Sequence, residues 1–248
     1  MKAAFVFSGQ GAQKTGMGKD LYDRSAAAAE IFREANRILG WDLMDVCFNG
    51  PDEKLTESRC CQPAIYTVSM AALAAFREKF PGVKPVGTAG LSLGEYGALC
   101  CAGNLTFADG LKTVSKRAEL MDAACKKERG TMASILTDGS VGVETFKQIC
   151  GECGIWVANY NNPMQTVISD QKTSDKVMIH LRENLSPANP ASIVAAASVQ
   201  LRAVLIHPIW TSVRPRSAWI GLVRSPKSAR SAWWKKNAPP SSAKRSHL

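Results

Sequence analysis

Acidic residues are missing from the last quarter of this chain. Residues 184–248 hold 10 Lys and Arg and no Asp or Glu, while residues 1–183 hold 21 of each sign and are neutral. The net charge of +10 over 248 residues is therefore the charge of the tail. The tail also has no Cys and no Phe and only 1 of the 19 Gly, yet it carries 4 of the 6 Trp and 7 of the 12 Pro. Arg214-Pro215-Arg216-Ser217 and Arg224-Ser225-Pro226-Lys227 read as low complexity. A break this abrupt marks residues that were not selected to fold with the rest, and it suits out-of-frame translation of a GC-rich gene. The alternative is a basic, Trp-bearing tail that contacts nucleic acid. The lack of an apolar framework around Trp219, Trp233 and Trp234 speaks against it, so nucleic acid is not an expected partner.

Long hydrophobic runs are absent as well. None approaches the ~18–20 residues of a membrane-spanning helix, so no membrane partner is expected. No secretory leader is expected, since Met1-Lys2 is followed by only a short apolar run, Ala3 to Phe7. Without export, the 8 Cys are expected as reduced thiols in the cytoplasm. Histidine is scarce, with only His180, His207 and His247. Cys150-Gly151-Glu152-Cys153 has metal-ligand spacing, but no second pair or His cluster accompanies it. Zinc takes four ligands, so these read as ordinary thiols near a helix end and no metal is expected.

What is present centres on Gly90-Leu91-Ser92-Leu93-Gly94-Glu95-Tyr96. An extended apolar stretch, Val83 to Leu91, leads into it and a helical pattern follows. That is the strand–turn–helix context of a nucleophile elbow, in which a serine hydroxyl is held out on a tight turn. Glycines flank such a turn because Cβ atoms there would clash. The following helix offers free N–H groups and its dipole to a developing negative charge. Ser92 is thus the candidate nucleophile.

The rest of the first 183 residues supplies a frame. Ala3 to Phe7 reads as a buried strand, followed by the glycine-rich loop Ser8-Gly9-Gln10-Gly11-Ala12-Gln13. Its glycines do not fit a dinucleotide fingerprint. The loop instead brings a backbone N–H and the Gln10 side chain to the C-terminal edge of the strand, where α/β sites are built. Residues 20–39 read as one helix, Leu43 to Phe48 as a short one, and Ala64 to Phe76 as a long one with Pro63 near its first turn. A further helix from Phe107 to about Cys125 carries Arg117 on or beside its apolar stripe. Such an arginine either snorkels or faces a pocket, where it would bind a carboxylate bidentately.

From Gly130 the pattern changes to strand (Thr131–Leu136), helix (Val141–Cys150), two strands (Ile155–Tyr160 and Gln165–Ser169) and a helix (Thr173–Glu183). This is one strand short of a ferredoxin-like unit. Where the last strand should follow Asn184 stands Leu185-Ser186-Pro187-Ala188-Asn189-Pro190, whose prolines bar a central strand. Ala191 to Val199 reads as a short helix.

Taken together, these stretches resemble the malonyl-CoA:acyl carrier protein transacylases, the stand-alone malonyltransferases of bacterial fatty acid synthesis. The motifs that carry the resemblance are Phe5 to Gln13 with Gly16-Met17-Gly18; Gln62-Pro63-Ala64; Gly90 to Tyr96; Lys116-Arg117-Ala118-Glu119-Leu120-Met121; Gly130-Thr131-Met132-Ala133; and Asn159 to Ser169. They stand in the family's order over residues 3–183. Ser8 stands where proline is usual, and Gly97, Ala118, Met164 and Asp170 also depart from the pattern. After Asn184 nothing resembles the Ala-Phe-His-Ser-like stretch in which the family places its histidine, and Leu205-Ile206-His207-Pro208 is not that motif.

The resemblance implies an α/β fold with two parts. Residues 1–128 would form the N-terminal part of an α/β-hydrolase-like acyltransferase domain, and 129–183 a small ferredoxin-like α+β domain. Both are expected to be incomplete at the C-terminus, with 184–248 as a basic tail. It implies a malonyl ester on Ser92, backbone N–H groups of Gln10 and Leu93 as the oxyanion hole, and Arg117 as the clamp on the malonyl carboxylate. Gln62, Asn161 and Asn159 would be polar groups of the substrate pocket. No cofactor is implied. The substrates are malonyl-CoA, a coenzyme A thioester, and phosphopantetheinylated acyl carrier protein, which is also the expected protein partner. With its histidine motif absent, the chain is expected to transfer malonyl groups poorly. A serine esterase or thioesterase built on the same elbow, and an acyltransferase of polyketide synthesis, are the alternatives. The strand that begins almost at Met1 favours a free-standing enzyme.

Overall fold

The computed structural model describes residues 3–127, 130–170 and 193–199. The first strand, β1 (Ala3–Phe7), pairs in parallel with β2 (Pro85–Gly90), setting Phe5 beside Thr88 and Phe7 beside Gly90. Parallel pairing requires a long crossover. Here that crossover is helical: α1 (Lys19–Arg24), α2 (Ala26–Leu39), α3 (Leu43–Asn49), α4 (Asp52–Thr56) and α5 (Ser58–Lys79). After β2 come α6 (Gly94–Cys101) and α7 (Phe107–Lys127).

Helix α5 is the centre of this part. Cys60 to Thr67 are buried without a break, and a helix that is apolar on all sides belongs in the interior. Two apolar clusters meet on it. One joins Phe7, Ile65, Tyr66, Leu93, Leu111 and Val114. The other joins Phe32, Leu43, Val46, Leu55, Cys60 and Ala64. Helix α7 approaches α5 closely at Gly110, where an added Cβ would lie 2.1 Å from the Tyr66 hydroxyl. Tyr66 stacks on Phe107 and donates to its carbonyl oxygen at 3.4 Å.

Two helix boundaries differ from the sequence reading. The helix read over 20–39 breaks at Ser25, whose extended backbone (φ −132°) and side chain cap α2 by accepting from the Ala28 N–H. A serine oxygen that satisfies a free helix N–H is a strong start signal, and it overrides the continuous apolar spacing. Helix α5 begins at Ser58, so Pro63 lies inside it rather than in its first turn.

The second part is a four-stranded antiparallel sheet in the order β4-β5-β3-β6, from β3 (Thr131–Thr137), β4 (Trp156–Asn162), β5 (Gln165–Asp170) and β6 (Ile193–Val199). Helix α8 (Val143–Cys153) covers one face, burying Phe146, Ile149 and Cys150 against Ala133, Ile135 and Ile168. This strand order is that of a ferredoxin-like unit. The fourth strand corrects the helix read over 191–199. It begins past Pro190 and pairs with β3 at the sheet edge, where prolines just before a strand are tolerated. The helix read over 173–183 and the tail segments 184–192 and 200–248 lie outside the described residues.

All eight cysteines are free, and burial pushes the Cys47 and Cys61 thiols up to about 12. Thiolates are the reactive form. At pH 8 an alkylating reagent should therefore leave Cys47 and Cys61 unlabelled in the native chain and label both in denaturant, as read by peptide mass mapping. Labelling of both under native conditions would contradict this packing.

Candidate active site

The site forms where the loops after β1 and β2 leave the same sheet edge. Strand β2 ends at Gly90, the chain turns through Leu91-Ser92-Leu93, and α6 starts at Gly94. The turn crosses neighbouring backbone at very short range. A Cβ on Gly90 would lie 2.1 Å from the Gly94 carbonyl, and one on Gly94 would lie 2.2 Å from the Phe7 carbonyl oxygen. Gly97 rests on the Phe7 ring, where a Cβ would come within 2.8 Å. Thr88 Oγ1 donates to the Ala98 carbonyl at 3.1 Å and pins the strand to the helix.

Ser92 pays for this crossing with strain. Its φ is 54°, and it is the one non-glycine residue with positive φ among the described residues. Such a conformation costs about 1–3 kcal/mol and persists only where the surroundings impose it. The elbow read from the sequence is therefore present, with the Ser92 side chain exposed at the start of α6.

Four other side chains converge on Ser92. Arg117 Nη2 donates to Ser92 Oγ at 2.7 Å. Arg117 Nη1 donates to Gln62 Oε1. Gln62 Nε2 donates to Met121 Sδ at 3.1 Å and to Gln10 Oε1 at 3.4 Å. Helix α7 supplies Arg117 and Met121 one turn apart, α5 supplies Gln62, and the glycine-rich loop supplies Gln10. Arg117 sits beside the buried stripe of Gly110, Leu111, Val114 and Ala118, and its guanidinium turns inward to the elbow rather than out to solvent. Of the two readings of its position, the geometry departs from simple snorkelling, since the guanidinium bonds the elbow serine.

The loops also bring backbone donors together. A Cβ on Gly9 would lie 2.9 Å from the Leu91 carbonyl oxygen, so the two loops touch. Among the described residues, the N–H groups of Gln10 and Leu93 have no acceptor. Backbone N–H groups without a protein acceptor are the kind of donor an oxyanion hole uses.

The two amides read as pocket groups lie in different surroundings. Gln62 is fully buried at the site, bonded to Arg117, Met121 and Gln10. Asn161 donates to Gln165 Oε1 at 3.1 Å, and Gln165 in turn donates to Ser134 Oγ at 3.0 Å. This is a polar row within the small sheet, and among the described residues no hydrogen bond joins Asn161 to Ser92 or Arg117. Asn159 is exposed. His180, His207 and His247 lie outside the described residues, which contain no histidine. Among the described residues no cluster of His, Cys, Asp or Glu could hold a metal ion, and no helix is long and apolar enough to cross a membrane.

Met121 and Glu95 are site residues that the sequence reading missed as such. Burial raises the Glu95 carboxyl above its ordinary range, against the Ser92 N–H and the Arg117 charge, which both lower it. A carboxyl raised in the fold contributes stability below its unfolded titration range and loses it as pH rises through the folded value. The melting temperature of Glu95→Gln should therefore exceed that of the parent at pH 8, with the difference shrinking as pH falls toward ~4. A variant less stable than the parent at pH 8 would show instead that the Glu95 carboxylate stabilises the elbow.

The elbow makes a sterner prediction. Gly90→Ala and Gly94→Ala should each cost well over the ~1–3 kcal/mol of ordinary overpacking, since the obstructing atoms are backbone. Gly82→Ala, which meets nothing within 4 Å, should leave the melting temperature unchanged. Equal melting temperatures for the three variants would refute the close crossing.

Comparison with known proteins agrees with this architecture. Residues 4–229 match the acyl transferase domain family. The malonyl CoA-acyl carrier protein transacylase of Bacillus subtilis (strain 168) is 43% identical over 173 residues, covering 68% of this chain and 53% of the relative. A crystal structure of malonyl CoA-acyl carrier protein transacylase from Clostridium perfringens superposes with a TM-score of 0.69 at 34% identity, covering 82% of this chain and 62% of that one. A type II PKS acyl-carrier protein in complex with its malonyl-transacylase superposes with a TM-score of 0.70 at 31% identity, covering 82% of this chain and 64% of that one. The chain spans about half the length of the curated relatives it matches. With the elbow, the paired loops and the inward arginine all in place, the match over residues 4–229 shows that this chain belongs to the acyl transferase domain family.

Proposed function

We propose that this chain binds malonyl-CoA and takes its malonyl group onto Ser92, for passage to the pantetheine thiol of acyl carrier protein in fatty acid synthesis in the cytoplasm. The observation that carries the reading is the guanidinium of Arg117 at 2.7 Å from Ser92 Oγ. A fixed cation beside the nucleophile suits an acyl group that ends in a carboxylate. Arginine binds that group through two parallel N–H bonds. An acetyl group would leave the guanidinium unpaired, which is how a polar site rejects the smaller analogue.

The chemistry follows from the same geometry. Ser92 Oγ attacks the thioester carbonyl carbon, and the Gln10 and Leu93 N–H groups receive the oxyanion of the tetrahedral intermediate. Coenzyme A leaves as its thiol and a malonyl ester remains on Ser92. The carrier-protein thiol then attacks this ester, passes through a second oxyanion in the same hole and frees Ser92. Losing one oxyanion donor costs about 2.7–4 kcal/mol. In this reading residues 1–128 carry the nucleophile, the hole and the clamp, while residues 129–183 together with β6 form the small domain. No cofactor takes part.

The proposal includes a deficit. Serine catalysis needs a base for the Oγ proton, and loss of a triad member removes several powers of ten in rate. No stretch after Asn184 resembles the family's histidine motif, so malonyl transfer by the purified 248-residue chain should be slow. Robust turnover would overturn this part.

Loading of Ser92 separates malonyl transfer from general esterase or thioesterase chemistry. Incubated with malonyl-CoA, the chain should slowly gain one malonyl group by intact-protein mass spectrometry, and Ser92→Ala should gain none. Arg117→Ala should lower malonyl loading about 10- to 100-fold, the worth of a charge-assisted hydrogen-bonded pair, and should raise acetyl loading from acetyl-CoA. If Arg117→Ala changes both acyl groups alike, the esterase reading replaces this one.

A further inference from the structure

Gln62 is a polar side chain with no exposure to solvent, on the most deeply buried stretch of α5. Its amide has one oxygen acceptor and two N–H donors. A buried amide must satisfy them or lose stability. The oxygen accepts from Arg117 Nη1, and the nitrogen donates to Met121 Sδ at 3.1 Å and to Gln10 Oε1 at 3.4 Å. Both of its polar atoms are thus engaged by protein groups.

Which way this amide faces follows from its partners. A guanidinium has only donors, so the amide oxygen must face Arg117. A thioether has only an acceptor, so the NH2 must face Met121. Turned over, the amide would set its NH2 against the Arg117 donors and its oxygen against sulfur. Met121 and Arg117, one turn apart on α7, therefore hold the Gln62 amide in one orientation from two sides.

The consequence falls on Arg117. A free arginine side chain carries about 2 kcal/mol of rotamer entropy. With Nη1 tied to a fixed oxygen, the fork is held in place before substrate arrives, and Nη2 is aimed at Ser92. Ordering done in advance is not charged against binding. The same amide reaches Gln10, whose backbone N–H is the proposed oxyanion donor. The carboxylate clamp and the oxyanion loop are thereby joined through one buried group.

We infer that Met121 and Gln62 form a positioning pair: the Met121 thioether fixes the orientation of the buried Gln62 amide, which holds Arg117 ready for a carboxylate-bearing acyl group. The part of both is to position Arg117. The inference rests on the reading of Arg117 as the clamp, and it adds a determinant of acyl selectivity on the far side of that residue.

Calorimetric titration of the full chain carrying Ser92→Ala with malonyl-CoA and with acetyl-CoA tests it without interference from acyl transfer. Gln62→Met, close to isosteric, should weaken malonyl-CoA about tenfold, the equivalent of one hydrogen bond to a charged group, and leave acetyl-CoA unchanged. Met121→Leu, which conserves volume, should weaken malonyl-CoA about two- to fivefold, since an N–H of the amide then lacks its acceptor. In an Arg117→Ala background neither change should have a further effect. The pair is refuted if both substitutions leave the malonyl-to-acetyl affinity ratio intact while Arg117→Ala lowers it, or if they act equally with and without Arg117. If Arg117→Ala itself leaves malonyl-CoA affinity unchanged, the clamp reading falls and this inference with it. Should Gln62→Met lower the melting temperature, Met121→Leu carries the same comparison in a packed core.

Discussion

The structure depends on one close crossing, where the end of β2 and the start of α6 pass over the end of β1 with no room for side chains. Gly90 faces the Gly94 backbone and Gly94 faces the Phe7 carbonyl at distances that exclude a Cβ. Because the chain must reverse within Leu91-Ser92-Leu93, Ser92 is driven into a left-handed conformation. The strain is held by packing on both sides: Phe7 and Leu93 are buried in one apolar cluster with α5 and α7, and Thr88 ties β2 to α6. What this arrangement gains is placement. The hydroxyl stands at a helix start, where negative charge is favoured.

A cation is the second fixed element, and the core sets its direction. Arg117 sits beside the buried stripe of α7, and solvent was open to it by snorkelling. It turns inward because an acceptor is already waiting there: the Gln62 oxygen on the fully buried turn of α5. An unpaired amide at that position would be costly, and so would a half-buried guanidinium with no partner. Each supplies what the other needs. The stability of the pair and the shape of the site are one property, since the bond that satisfies Gln62 also orients the fork of Arg117.

The legible and illegible parts of the chain divide along the range of the interactions. Gly90, Ser92 and Gly94 are readable because a tight turn restricts residues a few positions apart. The apolar strand, the glycine-rich loop and the stripe of α7 are readable for the same reason. Gln62 is not, because its partners lie 52, 55 and 59 positions away in sequence, and an isolated Gln-Pro looks like a helix start or a pocket group equally well. Met121 looks like one more apolar residue on a helix. Asn161 reads as a pocket residue through the motif it sits in, while its amide is taken by a cross-strand neighbour in the small sheet. The strand at 193–199 is hidden by its alanine-rich sequence. Pairing with β3 overrides that preference, as strand formation commonly reflects neighbours more than intrinsic tendency.

The site also separates two contributions that usually arrive together. In the proposed reaction, affinity for a carboxylate-bearing acyl group falls to Arg117 and what holds it. Stabilisation of the oxyanion falls to the Gln10 and Leu93 N–H groups. Both are assembled from residues between 10 and 121 and need no titration step. In that reaction proton transfer from Ser92 needs a base, and no stretch after Asn184 resembles the family's histidine motif. Interactions equal in the bound substrate and the transition state set affinity and not the rate of the chemical step. A missing base would therefore lower the rate while leaving recognition in place. For that reason substrate affinity, rather than turnover, reports on how the Arg117 network works: it reads the clamp directly, however slow the chemistry that follows.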